Sequence, residues 1–466
     1  MGQLVARGHE LTPHPDQADV LVVNTCSFID PAKKESVDAI LEMAEFKKTG
    51  RARKLIVAGC LVERYRGDIR KELPEVDALV GTNEIESIVA LCEGAEAPAH
   101  PPEPYLYHHL TPRALATPRH FAYVKIAEGC DHPCSFCVIP QYRGRFRSRR
   151  LESVAAEAAG LFAQGVREIN LIGQDTTCYG EDLGLAGGLA NLLDRLAGME
   201  TERERWIRFL YAYPNKITVR LLDVIARRPA LVKYIDMPLQ HSSARVLKRM
   251  RRGGSGDIFL KLLERIRRTI PGVAIRTSFI TGFPGETEED FGELLQFVEA
   301  ARFDNLGVFT YSDEDSSASY KLDGKVNGRT AQARKRRLMA VQRMIARAHN
   351  RALVGREVSV LVEGPSSETD LLWQGRMPAQ APEIDGVTLI NDYQGAEPRA
   401  GEIRRLRITA AHDYDVVGTL LAPSEPAPEY AGPGLINITG DRSLTVAAPE
   451  AHPSRDRKGA VGATSV

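Results

Sequence analysis

The chain has 466 residues and lacks any apolar run of the roughly 18 residues that a bilayer-crossing helix needs. Its opening residues, MGQLVARGHE, hold no apolar stretch of the signal-peptide kind. Both absences predict a cytoplasmic protein with no membrane partner. Net charge is lacking too: 61 basic and 61 acidic residues cancel, so nothing pulls the whole molecule toward nucleic acid or anionic lipid. Cysteine is sparse and odd in number, seven in all, in a chain large enough to bury a core without staples. That excludes a disulfide framework and leaves metal or redox chemistry for clustered thiols. No internal repeat is present.

What is there reads as α/β. ADVLVVNTC (18–26), RKLIVAGC (53–60) and VDALVGT (76–82) are short apolar runs of the buried parallel-strand type. The stretch 31–48 between the first two has helical spacing, with Val37, Ile40, Leu41 and Ala44 on one face. Residues 1–95 therefore form a small α/β domain, and the proline-rich 96–118 a linker. Six further strand candidates follow: FAYVKIAEGC, EINLIGQD, WIRFLYAYP, YIDMPLQH, AIRTSFITGFPG and NLGVFTYS. Helical stretches separate most of them, which predicts a wound parallel sheet or a partial barrel over 119–352. That region ends in a basic helix, 329–352. Short β runs over 353–420 predict a small all-β barrel. From 421 to 466 the chain is rich in Ala, Pro, Ser and Gly and is expected to be disordered.

The densest chemistry is EGCDHPCSFC, which places Cys130, Cys134 and Cys137 within eight residues. Thiolates are the usual ligands of iron–sulfur clusters. Three of them on a four-iron cluster leave one iron open for a substrate or cofactor. A zinc site is the alternative, and His132 inside the loop could serve it. Structural zinc usually takes four ligands, often as two C-x-x-C pairs, and no second pair exists. Cys26 and Cys60 each end a predicted strand of one β-α-β unit. Neighbouring parallel strands lie ~5 Å apart, so these two thiols should be neighbours, as a functional pair or as two buried cysteines.

The cysteine loop resembles that of the radical S-adenosylmethionine superfamily. More narrowly, NTCSFIDPAKKES, VAGCL, EGCDHPCSFCVIPQYRGRFRSR, INLIGQD, PLQHSS and TGFPGETEEDF resemble the methylthiotransferases. The resemblance covers residues 1 to about 420. It implies an N-terminal domain with an auxiliary 4Fe–4S cluster, a radical S-adenosylmethionine partial (βα)6 barrel, and a C-terminal TRAM barrel. It implies Cys130, Cys134 and Cys137 as ligands of the radical cluster, with S-adenosylmethionine on the open iron and an electron donor as partner. Cys26 and Cys60 match the second and third auxiliary-cluster ligands. The family's first lies on a strand preceding this Met1, so the resemblance implies a truncated start and puts the auxiliary cluster in question. Cys92, on an apolar helix face, is a poor substitute.

One branch of the family modifies adenosine in tRNA; the other modifies the β-carbon of an aspartate in the twelfth protein of the small ribosomal subunit. SFIDPAKKESVDAI, VIPQYRG and APEIDGVTLIN are similar to the second. Charge agrees: residues 353–420 carry eleven acids and six bases, a net −5. That suits a basic protein better than RNA phosphates, although the basic helix could still touch RNA.

Several residues keep two readings. Gly282, Gly285 and Glu286 could bring backbone close to S-adenosylmethionine, or simply turn the chain into a helix capped by Thr287. Gln174 and Asp175 end a strand on the presumed cofactor side and could contact it. Arg143 and Arg149 could face the cofactor carboxylate or steady the cysteine loop. Tyr211 and Tyr213 read as aromatic packing, and Cys178 as incidental.

Overall fold

The structure, a computed structural model, describes residues 1–95, 105–201, 203–369 and 371–424, together with the backbone of 443–447. In the N-terminal part, Glu10–Leu11 (β1), Val20–Thr25 (β2), Lys54–Gly59 (β3) and Ala78–Val80 (β4) belong to one sheet. The runs at β2 and β3 are continuously apolar because both sheet faces are covered. Leu21, Val23, Leu55 and Val57 pack on Ile40, Met43 and Ala44 of the helix Asp30–Thr49. Val22, Ile56 and Ala58 face the other way, onto Leu4 and Leu91.

All six strands expected in the middle region form: Phe121–Lys125 (β5), Glu168–Ile172 (β8), Trp206–Phe209 (β9), Tyr234–Asp236 (β10), Ala274–Thr281 (β11) and Asn305–Thr310 (β12). They pair in parallel as β5-β8-β9 and β10-β11-β12, joined by a bridge between Ile207 and Leu231. The result is an open partial barrel with helices outside. A two-residue hairpin, Ala127–Glu128 (β6) against Arg147–Ser148 (β7), brackets the cysteine loop.

The next five strands close a small barrel: Glu357–Pro365 (β13), Trp373–Arg376 (β14), Thr388–Tyr393 (β15), Ile403–Ala411 (β16) and Val416–Leu420 (β17). Its segment 376–385 caps the partial barrel from below, touching every one of the six strands. The Tyr123 hydroxyl donates to Glu383 (2.7 Å), and Glu168 pairs with Arg376. Arg208 donates to the Pro378 (2.9 Å) and Gln380 (3.1 Å) carbonyls. The Tyr234 hydroxyl donates to Asp385 (2.6 Å), Arg276 pairs with Asp385 (3.4 Å), and Asn305 donates to the Ala379 carbonyl (3.1 Å).

These contacts correct the reading of charge. Several acids of residues 353–420 are paired, some with bases of the same stretch, which leaves its net −5 unchanged, and some with bases outside it, which lowers the charge left free. Glu363 pairs with Arg376, Glu402 with Arg404, and Glu357 with Arg407. Asp385 is buried at the cap, and Asp413 lies against Arg343 and Arg347 of the basic helix, here Gly328–Leu353. Part of that helix's positive charge is likewise spent, since Arg334 pairs with Glu286 and Glu288.

One strand departs from the expected disordered tail. Ser443–Ala447 (β18) runs parallel between β1 and β2, giving the order β1-β18-β2-β3-β4. The rest of that expectation, at 425–442 and 448–466, lies outside the described residues.

Candidate active site

The thiol loop sits where the parallel strands end. Gly129 takes φ +81°, and a Cβ there would meet the Arg145 carbonyl oxygen at 2.2 Å, so only glycine lets the two arms of the loop lie back to back. The Cys130 amide donates to the Gly144 carbonyl (3.3 Å), and Ser135 donates its hydroxyl to the Arg249 carbonyl (2.8 Å). Cys130, Cys134 and Cys137 all open on one cavity of ≈ 300 Å³. Burial pushes the Cys130 thiol up to about 11 and Cys137 to about 12. Cluster binding must therefore displace protons from them. A larger cavity, ≈ 680 Å³, lies among alanine-rich helices from Leu151 to Arg205 and contains none of these thiols. The chemistry belongs to the smaller one.

The donor set fits a cluster better than one ion. Among the described residues, only His132, Asp175 and Cys178 bring three donor atoms within 4.8 Å of one another. The three loop thiols share a cavity without closing that tightly, which suits a body wider than a single metal. Gln174, next to Asp175 in the chain, keeps a buried Oε1 with no hydrogen-bond partner among the described residues.

Asp175 is already engaged. His132 Nε2 lies 2.6 Å from its Oδ2, Thr177 donates its amide (2.8 Å), and the Cys178 thiol donates at 3.1 Å. Burial would raise the Asp175 carboxyl, but these hydrogen bonds outweigh it and hold the carboxyl below its ordinary value. Cys178 is thus not incidental: it has a partner. No local spacing signals this, because two side chains, 43 and 46 positions from His132, had to meet it.

His132 stacks on Tyr213, ring centroids 3.9 Å apart and 10° from parallel. Arg252 covers the other side of that tyrosine at 4.4 Å and points Nη1 at Cys134 Sγ, 3.6 Å away. Aromatic packing was the right reading of Tyr213, whereas Arg252 was missed. Tyr211 takes φ +62° at its strand end and remains half exposed.

The glycines serve the turn. Gly282 (φ +81°) would drive a Cβ to 2.3 Å from the Ala331 side chain, and Gly285 (φ +84°) to 2.8 Å from Arg249. Glu286 folds back on its own loop, accepting from the Gly282 and Phe283 amides. Thr287 and Asp290 form a reciprocal cap on the helix Glu288–Ala301. Neither glycine lines the thiol cavity. Arg149 lies in the core, paired with Glu157 at 2.6 Å and donating to the Lys125 carbonyl (2.7 Å).

Cys26 and Cys60 directly follow Thr25 and Gly59, which are register partners of β2 and β3. Gly59 (φ +108°) starts the helix Cys60–Glu72, so Cys60 stands at a helix N-terminus beside Cys26. Cys26 is exposed. Cys92 is remote from this pair in kind, packing with Leu4 and Leu91 on the far sheet face. Burial pushes its thiol up to about 11.

Comparison with known proteins agrees with this architecture. Residues 124–298 match a family profile described as the radical SAM superfamily, 1–81 one described as uncharacterized protein family UPF0004, and 354–421 one described as a TRAM domain. A ribosomal protein uS12 methylthiotransferase RimO from Solibacter usitatus is 80% identical over 94% of this chain and 94% of its own length. Its namesake from Koribacter versatilis is 55% identical over 90% of this chain and 92% of its own. Among solved structures, the radical S-adenosylmethionine methyltransferase TsrM from Kitasatospora setae superposes with TM-score 0.50 at 15% identity, over 63% of this chain and 64% of its own. That likeness concerns fold alone.

Proposed function

The chain belongs to the RimO family of ribosomal protein uS12 methylthiotransferases, and from that premise we propose that it replaces a hydrogen on the β-carbon of a uS12 aspartate with a methylthio group. The observation that carries the reading is the three-thiol cavity at the carboxyl ends of a partial barrel, in a chain 80% identical to a RimO. Cys130, Cys134 and Cys137 would hold a 4Fe–4S cluster, and Gln174, with its unpartnered Oε1, would contact S-adenosylmethionine. Asp175 would act on that cofactor through the His132 ring it orients. Cys26 and Cys60 would be two of the ligands of an auxiliary cluster. When bound, the radical cluster with S-adenosylmethionine supplies a one-electron cleavage that lets hydrogen leave the substrate as an atom.

The protein's own work is then exclusion and placement. The cap at 376–385 closes the barrel floor, so water and substrate are confined to the thiol-bearing mouth. No strong base is required at the β-carbon; Asp175, behind the loop, is already tied to His132. The tRNA alternative loses ground to the relatives' shared designation.

Reduced, reconstituted protein given uS12 deuterated at the aspartate β-carbon should move deuterium into 5′-deoxyadenosine. Unlabelled 5′-deoxyadenosine alongside modified uS12 would mean that hydrogen is taken elsewhere, and deuterium entering 5′-deoxyadenosine only when tRNA, not uS12, carries the label would restore the alternative.

A further inference from the structure

Arginines crowd the cysteine loop, and most are spent. Arg143 pairs with Glu128 (3.0 Å) and turns its other arm to Cys60 Sγ (3.3 Å). Arg249 pairs with Asp323 (2.7 Å). Arg252 donates to the Pro238 carbonyl (2.9 Å) and covers Tyr213. Two arginines, Arg145 and Arg251, line the thiol cavity itself. Arg145 lies 3.7 Å from Asp131, the acid of that lining. Arg251 makes no ion pair and no side-chain hydrogen bond among the described residues.

Arg251 also stands where the backbone prefers glycine. The helix Ala244–Arg249 closes on Met250, and the next two amides fold back on it. Arg251 donates to the Lys248 carbonyl (3.1 Å) and Arg252 to the Leu247 carbonyl (2.8 Å). That pair of bonds ends a helix through a left-handed residue, usually glycine, and Arg251 takes φ +56°. The turn is fixed to the cysteine loop, since the Ser135 amide donates to the Met250 carbonyl (3.0 Å). The backbone gains nothing from an arginine here. What the arginine adds is a cation at a fixed place on the cavity, exposed where a protein substrate can reach it.

We propose that Arg251 is a substrate-binding residue that receives the side-chain carboxylate of the uS12 aspartate. The inference rests on the reading that an aspartate β-carbon is the site of reaction. That carbon is bonded directly to the carboxyl carbon, so holding the carboxylate places the reacting atom. A guanidinium meets a carboxylate through two parallel hydrogen bonds, which sets direction as well as distance. Loss of a hydrogen atom leaves the carboxylate charge unchanged, so the contact persists through the reaction. It also distinguishes aspartate from an uncharged side chain of the same shape.

The test is equilibrium binding of uS12 to the reconstituted full chain, as wild type, Arg251→Gly and Arg251→Lys, with S-adenosylmethionine but no reductant. Each is titrated with uS12 and with uS12 whose target aspartate is changed to asparagine. Glycine suits the backbone at 251, so Arg251→Gly should keep wild-type circular dichroism and iron content. It should bind uS12 at least about tenfold more weakly, the order expected for a hydrogen bond between charged groups. Wild type should show a similar loss on the asparagine form, Arg251→Gly should not distinguish the two forms, and Arg251→Lys should recover part of the preference. Equal binding by Arg251→Gly and wild type would overturn the proposal. So would an equal loss on both uS12 forms, which would place the contact elsewhere on uS12. Weakened S-adenosylmethionine binding in place of weakened uS12 binding would give the arginine to the cofactor's carboxylate instead. Iron lost in Arg251→Gly and not regained in Arg251→Lys would leave the residue a structural one. If wild type neither binds nor modifies uS12, the functional reading fails and carries this inference with it.

Discussion

Replacing Cys130, Cys134 and Cys137 together by alanine should remove about four irons per protein and reduce 5′-deoxyadenosine formation to the level seen without enzyme. No other group can take over. The further donors inside the loop are engaged: His132 is hydrogen-bonded to Asp175 and stacked on Tyr213, and Asp131 accepts from the Phe146 amide (3.2 Å). Cys178 donates to the Asp175 carboxylate. The loop should stay folded, because its backbone is held by the Gly144 and Met250 carbonyls and the Ser135 hydroxyl by the Arg249 carbonyl, not by the thiols. Iron and sulfide analysis with far-UV circular dichroism reads both parts. Iron unchanged in a folded triple variant would place the cluster elsewhere. About four irons remaining would be those bound through Cys26 and Cys60.

Arg376→Met should be the most damaging single change to stability. Arg376 is almost wholly buried and pairs with two carboxylates, Glu168 and Glu363, while Arg208 shares Glu168. Removing one partner of a buried ion pair costs about 3–5 kcal/mol, because the remaining charge stays desolvated. The double variant Glu168→Gln/Arg376→Met should cost less than the sum of the two single changes. Hydrogen exchange over residues 373–408 reads this locally, where whole-chain unfolding of several domains would not be two-state.

A pH dependence follows from the same pair. Burial would raise the Glu363 carboxyl, but Arg376 and His120 hold it down at about 2. A depressed carboxyl contributes its full stability above its unfolded value of about 4.3. That contribution fades as pH falls toward 2. Protection of the cap should therefore drop across this window in wild type and drop less in Arg376→Met. Equal slopes in the two proteins would remove Glu363 from the account.

The strands were legible because their physics is local. ADVLVVNTC and RKLIVAGC are apolar throughout, and the structure covers both of their faces. The thiol loop was legible because its donors lie within eight residues. The cap was not, since Glu168 meets Arg376 across 208 positions, and nothing near either residue announces the other. Charged side chains turned into a barrel look, in sequence, like an exposed strand edge. For the same reason a count over 353–420 left out Arg276, Arg343 and Arg347, which pair with Asp385 and Asp413 from outside that stretch. Arg143 and Arg252 stand in arginine-rich stretches where no spacing marks which one reaches a sulfur. The strand Ser443–Ala447 is too short to signal itself in a tail without periodicity.

The most direct measurement is the mass of uS12 after anaerobic incubation with this protein, S-adenosylmethionine and a reductant, followed by fragmentation to locate any change. One methylthio group in place of a hydrogen on a single aspartate, absent with the triple cysteine variant, is the expected result. Unmodified uS12 in a reaction that still produces 5′-deoxyadenosine, or the same group found on tRNA, would contradict it.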